Sequence, residues 1–196
     1  SLHTLVYRNC FSQKMPLKDI FHPCSDWVSA LREMSQEENS RAVLDGRYID
    51  CIFRNVYVER KQLLFVDQEW WWSESIRLEV LVIRALYHFL CSIEQSAGLS
   101  SQLRRRSMRK TIEMITHTWG VELSSADFSE FVDIESEFQS LTSNVSAKRK
   151  QVQLYWSLFD RSSLLASRKA RMFVRKAWNR LGLGFSRART KLGLTG

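Results

Sequence analysis

The sequence predicts an α+β fold, mostly helical, with one β-hairpin flanked by helices and a basic amphipathic C-terminal helix. Three observations carry this. Apolar residues recur at helical spacing over most of the chain, β-formers crowd into residues 48–66, and basic residues accumulate after residue 160. With 196 residues, 44% of them hydrophobic and 26% charged, and only seven Gly and two Pro, the chain has the composition of a core-forming protein rather than a disordered one. That length suits one domain with an appendage. Glu79 and Arg84 interrupt the apolar run from Leu78 to Leu90, so no segment reads as a bilayer span.

The elements follow in order. Residues 1–25 form an incomplete N-terminal segment, in which Leu5, Val6 and Tyr7 suit a short strand and Pro16 and Pro23 favour turns. Ser25 or Asp26 then caps a helix whose stripe is Trp27, Val28, Leu31 and Met34 and which fades in the polar run from Gln36 to Ser40. From Arg47 the period changes. Tyr48, Ile49, Cys51, Ile52, Phe53, Val56, Tyr57 and Val58 read as extended chain, Glu59 to Gln62 as a polar break, and Leu63 to Val66 as the returning strand, giving a hairpin over about residues 55–67. Helices are expected at roughly 76–96, 101–118, 125–140 behind a Ser124 or Ser125 cap, and 146–160. Residues 26–160 thus make the main domain and 161–196 a tail.

Charge and cysteines narrow the function classes. Ten Lys and Arg and no acidic residue lie from Arg161 onward, more than the chain's net +8, so residues 1–160 carry a net −2 and the basic character belongs to the tail. Arg104, Arg105, Arg106, Arg109 and Lys110 cluster on one helix without interleaved stacking aromatics, which fits a solvated face and disfavours nucleic acid. Cys10, Cys24, Cys51 and Cys91 are widely spaced with no C-x-x-C pair, so neither a zinc site nor a disulfide framework is expected, and a reducing cytosol is. The opening Ser-Leu-His-Thr-Leu-Val-Tyr lacks the pattern of a signal peptide and reads as the start of an excised C-terminal region.

Polar residues inside the β-rich stretch carry the candidate chemistry. Asp50 and Asn55 stand five residues apart, and Asp67 follows twelve residues later at the end of the next strand. Phosphoryl transfer needs such parts: one carboxylate to orient or deprotonate an acceptor hydroxyl, and a second carboxylate with an amide oxygen to hold Mg²⁺ against the phosphates of ATP. A tight hairpin between Asn55 and Asp67 would bring their oxygens together. Asp50 and Asn55 equally suit turn capping, and the spacing alone leaves both readings open. Of Trp70, Trp71 and Trp72, three neighbours that cannot share one face, at least one belongs to the core and the others suit a sugar-stacking platform. His88, on an apolar helix with no carboxylate or cysteine spaced to work with it, reads as a core histidine.

The order helix, Asp50 loop, hairpin, Asp67, helices resembles the larger lobe of kinase-like phosphotransferases, particularly small-molecule and glycan kinases whose second motif is D-x-E, matched by Asp67-Gln68-Glu69. The stretch from Tyr48-Ile49-Asp50 to Trp70, continuing into Arg84-Ala85-Leu86, also resembles the C-terminal region of bacterial surface-polysaccharide methyltransferase and glycosyltransferase proteins. The resemblance covers about residues 26–140. It implies a transferase acting on a glycan or lipid-linked saccharide, with Asp50 catalytic, Asn55 and Asp67 on Mg²⁺, and Glu69 as an additional or supporting metal carboxylate. The alternative it implies is a noncatalytic module docking a SAM-dependent methyltransferase or glycosyltransferase to a membrane-bound assembly, with SAM involved only through an upstream domain. Tyr48 replaces the histidine usual two residues before the catalytic Asp, and no Gly-rich phosphate loop, strand lysine or SAM-binding glycine motif is present. A nucleotide-binding lobe is therefore expected upstream, and these residues alone are not expected to catalyse.

In the tail, Ala170, Phe173, Val174, Ala177, Trp178 and Leu181 form one apolar stripe bordered by Arg171, Arg175 and Lys176. Arg171, Phe173, Arg175, Lys176 and Trp178 would place such a helix on an anionic membrane surface, making the protein cytoplasmic and peripheral at the inner membrane face. Packing of the stripe on the preceding helices is the competing expectation.

Overall fold

A computed structural model describes residues 1–159 except positions 13, 61, 95, 97–99, 101–102, 104–105, 142 and 144. The fold is α+β. Helices α1 (Leu2–Asn9), α2 (Leu17–Ile20) and α3 (Ser25–Met34) precede strands β1 (Gln36–Glu38), β2 (Arg41–Leu44), β3 (Val56–Glu59), β4 (Gln62–Phe65) and β5 (Ile76–Arg77). Helices α4 (Leu78–Ile93), α5 (Met108–Thr118), α6 (Ser125–Leu141) and α7 (Ala147–Phe159) complete the described chain.

Helix α4 is the axis. It is apolar nearly all round, and Val80, Leu81, Val82, Ile83, Ala85, Leu86, Phe89 and Leu90 are all buried, as expected of a helix enclosed by others. Helices α5 and α6 pack on it, and α7 lies against α5 and α6. Ser124 opens α6: its hydroxyl accepts from the Asp127 N–H at 3.3 Å, while the Asp127 carboxylate accepts from the Ser124 hydroxyl and N–H. At the end of α5, Gly120 takes φ +63°, and the N–H groups of Gly120 and Val121 return to the carbonyls of His117 and Thr116, a Schellman closure.

The hairpin β3–β4 is antiparallel and pairs Val56 with Phe65 and Glu59 with Gln62, where the β-rich pattern places it. The expectation of a single hairpin is corrected by a second, three-stranded sheet in the order β1-β2-β5. Its β1–β2 turn is made by Asn39 and Ser40, both at positive φ, the geometry a two-residue hairpin loop requires. Three further expectations are also revised. Leu5, Val6 and Tyr7 lie in α1, not a strand, because Leu2 and Val6 bury one helical face in the core. Helix α3 starts behind Cys24 without a side-chain cap. Residues 46–50 and 53–55 are 3-10 turns rather than extended chain; Ile49 to Phe53 are all buried, so no alternation holds them as a half-exposed strand. The expected C-terminal helix, with Arg171, Phe173, Arg175, Lys176 and Trp178, lies outside the described residues.

None of the four cysteines forms a disulfide, and burial pushes the Cys10 and Cys51 thiols up to about 12. No helix among the described residues is long and apolar enough to cross a membrane.

Candidate functional site: the Asp50 cleft

The loop carrying Asp50 is pinned at both ends. At Gly46 a side chain has no room: a Cβ there would lie 2.0 Å from the Trp72 carbonyl oxygen and 2.4 Å from that of Glu74. The Trp72 N–H donates to the Gly46 carbonyl at 3.1 Å, tying the tryptophan segment to the start of the loop. Downstream, the Trp27 indole donates to the Cys51 carbonyl at 3.2 Å, beneath the chain between the two turns.

Asp50 and Asn55 are both nearly buried, at 5% and 4% exposure. The Asn55 amide nitrogen donates to the Asp50 backbone carbonyl and to Asp50 Oδ2, each at 3.0 Å. It also lies 3.5 Å from the Asp67 backbone carbonyl. The hairpin makes this possible, because the Val66 N–H donates to the Asn55 carbonyl at 2.9 Å and returns the chain to the point it left. Asp67 sits at φ +57°, a conformation Asp tolerates better than most residues. With the Asn55 nitrogen engaged, its Oδ1 accepts no hydrogen bond among the described residues. The carboxylates of Asp67 and Glu69 are exposed and likewise have no protein partner among the described residues. Gln68 between them is held by its amide, which contacts the Cys51 sulfur at 3.2 Å.

The structure thus brings Asn55 against Asp50 through side chains and against Asp67 through the backbone. It leaves Asp67 and Glu69 facing solvent. Among the described residues no three His, Cys, Asp or Glu side chains converge as a metal set. The donors that do fit Mg²⁺ in kind are hard oxygens: the amide oxygen of Asn55 and the exposed carboxylate of Asp67. That is compatible with an ion that takes one or two protein carboxylates and draws its other ligands from phosphates and water.

The remaining wall of the site comes from α4 and α6. Arg84 is 1% exposed in the most apolar of the described helices, and a charge there demands partners. Its Nη1 donates to the Ile49 carbonyl and lies 3.2 Å from Asp50 Oδ1, while its Nε donates to Glu135 Oε2 at 2.8 Å. The guanidinium also stacks over the Phe138 ring, 4.6 Å from its centroid. Glu135 is fully buried, and its other oxygen lies 3.0 Å from His88 Nε2 and 2.6 Å from the Gln139 amide nitrogen. Burial alone would raise the Glu135 pKa, but hydrogen bonding to His88, the Arg84 charge and the Gln139 amide outweigh it and bring it down to about 2.

The reading of His88 as a histidine without a carboxylate partner is therefore corrected: Glu135 reaches it from 47 residues away. Arg84, His88, Glu135 and Gln139 enclose, with Asp50, a cleft of about 370 Å³ completed by Arg54, Trp70, Phe138 and Lys150. The three tryptophans divide as their adjacency requires. Trp70 lines the cleft with its ring against Phe138, Trp71 is 76% exposed, and Trp72 packs on the core. Within the expected solvated basic face, Arg109 is engaged, paired with Glu113 at 2.6 Å and stacked over Phe128.

Comparison with protein-family models, with curated proteins and with solved structures returns no match to this chain.

Proposed function

We propose that residues 46–84 supply the acceptor-orienting and metal-holding half of a kinase-like phosphotransferase site, in a bacterial transferase acting on cell-surface glycans. The observation that carries this reading is the Asn55 amide nitrogen, clamped on Asp50 and 3.5 Å from the Asp67 backbone carbonyl, which sets Asn55 beside Asp67 across one tight hairpin. Asp50 would accept the hydrogen bond of the acceptor hydroxyl. Its two oxygens are each held by one donor, Asn55 on Oδ2 and Arg84 on Oδ1, so the carboxylate plane is set before substrate arrives. Asn55 Oδ1 and the Asp67 carboxylate would hold Mg²⁺, with Glu69 as a further or supporting carboxylate. The metal, when bound with ATP, neutralises charge on the transferring phosphoryl group. The nucleotide-binding lobe belongs upstream, and the basic tail would hold the protein peripherally at an anionic inner membrane face.

A second reading has its own support. The hairpin β3–β4 exposes Tyr57, Val58 and Leu64, each above 40%, as a noncatalytic module that docks an upstream methyltransferase or glycosyltransferase would. The two separate on one variant. Asp67→Asn in the intact protein removes a metal carboxylate at little change in volume, and is expected to abolish Mg²⁺-dependent phosphoryl transfer from ATP while the far-UV spectrum and unfolding midpoint hold. Unchanged turnover in that variant assigns the chemistry elsewhere and leaves the docking reading.

A further inference from the structure

We infer that the Asp50 cleft binds an anionic saccharide, a pyranose ring bearing a carboxylate or phosphate. The inference rests on the phosphotransferase reading only for placing the acceptor beside Asp50. The cleft's volume, about 370 Å³, falls in the range of roughly 300–1,000 Å³ usual for small-ligand sites. Its charge is uneven in a specific way. The buried Arg84 is already matched by Asp50 on one side and Glu135 on the other. Arg54 and Lys150 add two further cations to the wall, and neither side chain has an acidic partner among the described residues. Arg54 is exposed and Lys150 half-buried, so these two cations sit at the mouth, while the floor sets the single cation Arg84 against the two carboxylates of Asp50 and Glu135.

Trp70 supplies the other half of the recognition. Its ring meets Phe138 edge-on at 5.5 Å and remains 43% exposed, which leaves aromatic surface for the C–H face of a sugar ring. A ring stacked there, with its anionic group toward Arg54 and Lys150, would leave its hydroxyls toward Asp50. A neutral sugar gains only the stacking, and a bare anion only the charge, so the combination is selected over either part.

Titration of the intact protein with mannose 6-phosphate, glucuronic acid, methyl mannoside and inorganic phosphate tests this. The two charged sugars are expected to bind at least about tenfold more tightly than methyl mannoside or phosphate. Arg54→Ala with Lys150→Ala should remove that preference, and Trp70→Ala should weaken all three sugars while leaving phosphate binding unchanged. All three positions are at least partly exposed, so the variants should keep the wild-type unfolding midpoint, which the same samples report. Equal affinity for charged and neutral sugars overturns the inference, as does inorganic phosphate binding as tightly as mannose 6-phosphate. Displacement of the sugars by Mg²⁺-ATP in direct competition also overturns it, since the cations would then serve the nucleotide. Charge-selective sugar binding without phosphoryl transfer removes the phosphotransferase reading and supports the saccharide site. Transfer to a neutral sugar with no charge preference does the reverse.

Discussion

Replacing Glu135 by Gln tests the buried network that shapes the cleft, and its cost can be worked from the structure. The Glu135 carboxylate is fully buried and receives Arg84, His88 and Gln139. Its pKa is about 2 in the fold against 4.5 in an open chain, a gap worth about 3 kcal/mol. The folded pKa is the depressed one, so the unfolded chain takes up the proton first. The stabilisation is full above about pH 4.5 and is lost as pH falls through about 2. Glu135→Gln keeps the volume and deletes the charge, leaving Arg84 with Asp50 as its one carboxylate partner in the network. At pH 7 the variant should be less stable by about 2–3 kcal/mol, at the lower edge of what breaking a buried ion pair costs. Urea unfolding followed by circular dichroism at pH 7, 5, 3.5 and 2.5 reads both effects. The wild type should lose about 2 kcal/mol more than the variant between pH 5 and 2.5 if the m-value is unchanged. Parallel pH profiles, or a variant as stable as wild type at pH 7, would refute the assignment of Glu135 as the network's charged centre.

Two further outcomes follow from other parts of the chain. Gly46→Ala drives a methyl group into the backbone carbonyls of Trp72 and Glu74 and should cost about 2 kcal/mol, seen as a lowered thermal midpoint; an unchanged midpoint would mean the close approach does not exist. If the basic tail seats the protein on membranes, truncation after Asp160 should lower recovery in flotation with anionic vesicles and not with neutral ones, and equal recovery of both proteins with anionic vesicles would remove that role.

What the sequence made legible was what short-range pattern encodes. Helices α4, α6 and α7 announce themselves by apolar spacing, and β3–β4 by two β-rich runs around a polar break. Residues 48–53 were misread as extended because their β-formers are there to fill the core continuously, which a turn does as well as a strand. The strands β1 and β2 were missed because β1 is Gln-Glu-Glu and wholly exposed, so its pairing leaves no apolar period to see. The site divides the same way. Asp50 and Asn55 meet only five positions apart in the chain, so their spacing shows them. The Arg84–Glu135–His88 network joins residues about fifty apart, and no spacing rule links them. Its trace in the sequence is subtler: an arginine inside the most apolar helix, and a glutamate in the stripe of Phe128, Phe131 and Phe138. Each is a charge on a face that must be buried, and two opposite charges so placed are each other's natural partners.

In the proposed function Asn55 and Asp67 would hold one metal ion beside Asp50. Substituting Mn²⁺ for Mg²⁺ in the intact protein, with a nonhydrolysable ATP analogue, turns that claim into a distance measurement by paramagnetic line broadening. The Asn55 side-chain amide and the Asp67 backbone amide should broaden first and together, with Asp50 close behind, and Asp67→Asn should abolish the effect. Broadening that spares Asn55 and Asp67, or that persists undiminished in Asp67→Asn, would place the metal elsewhere.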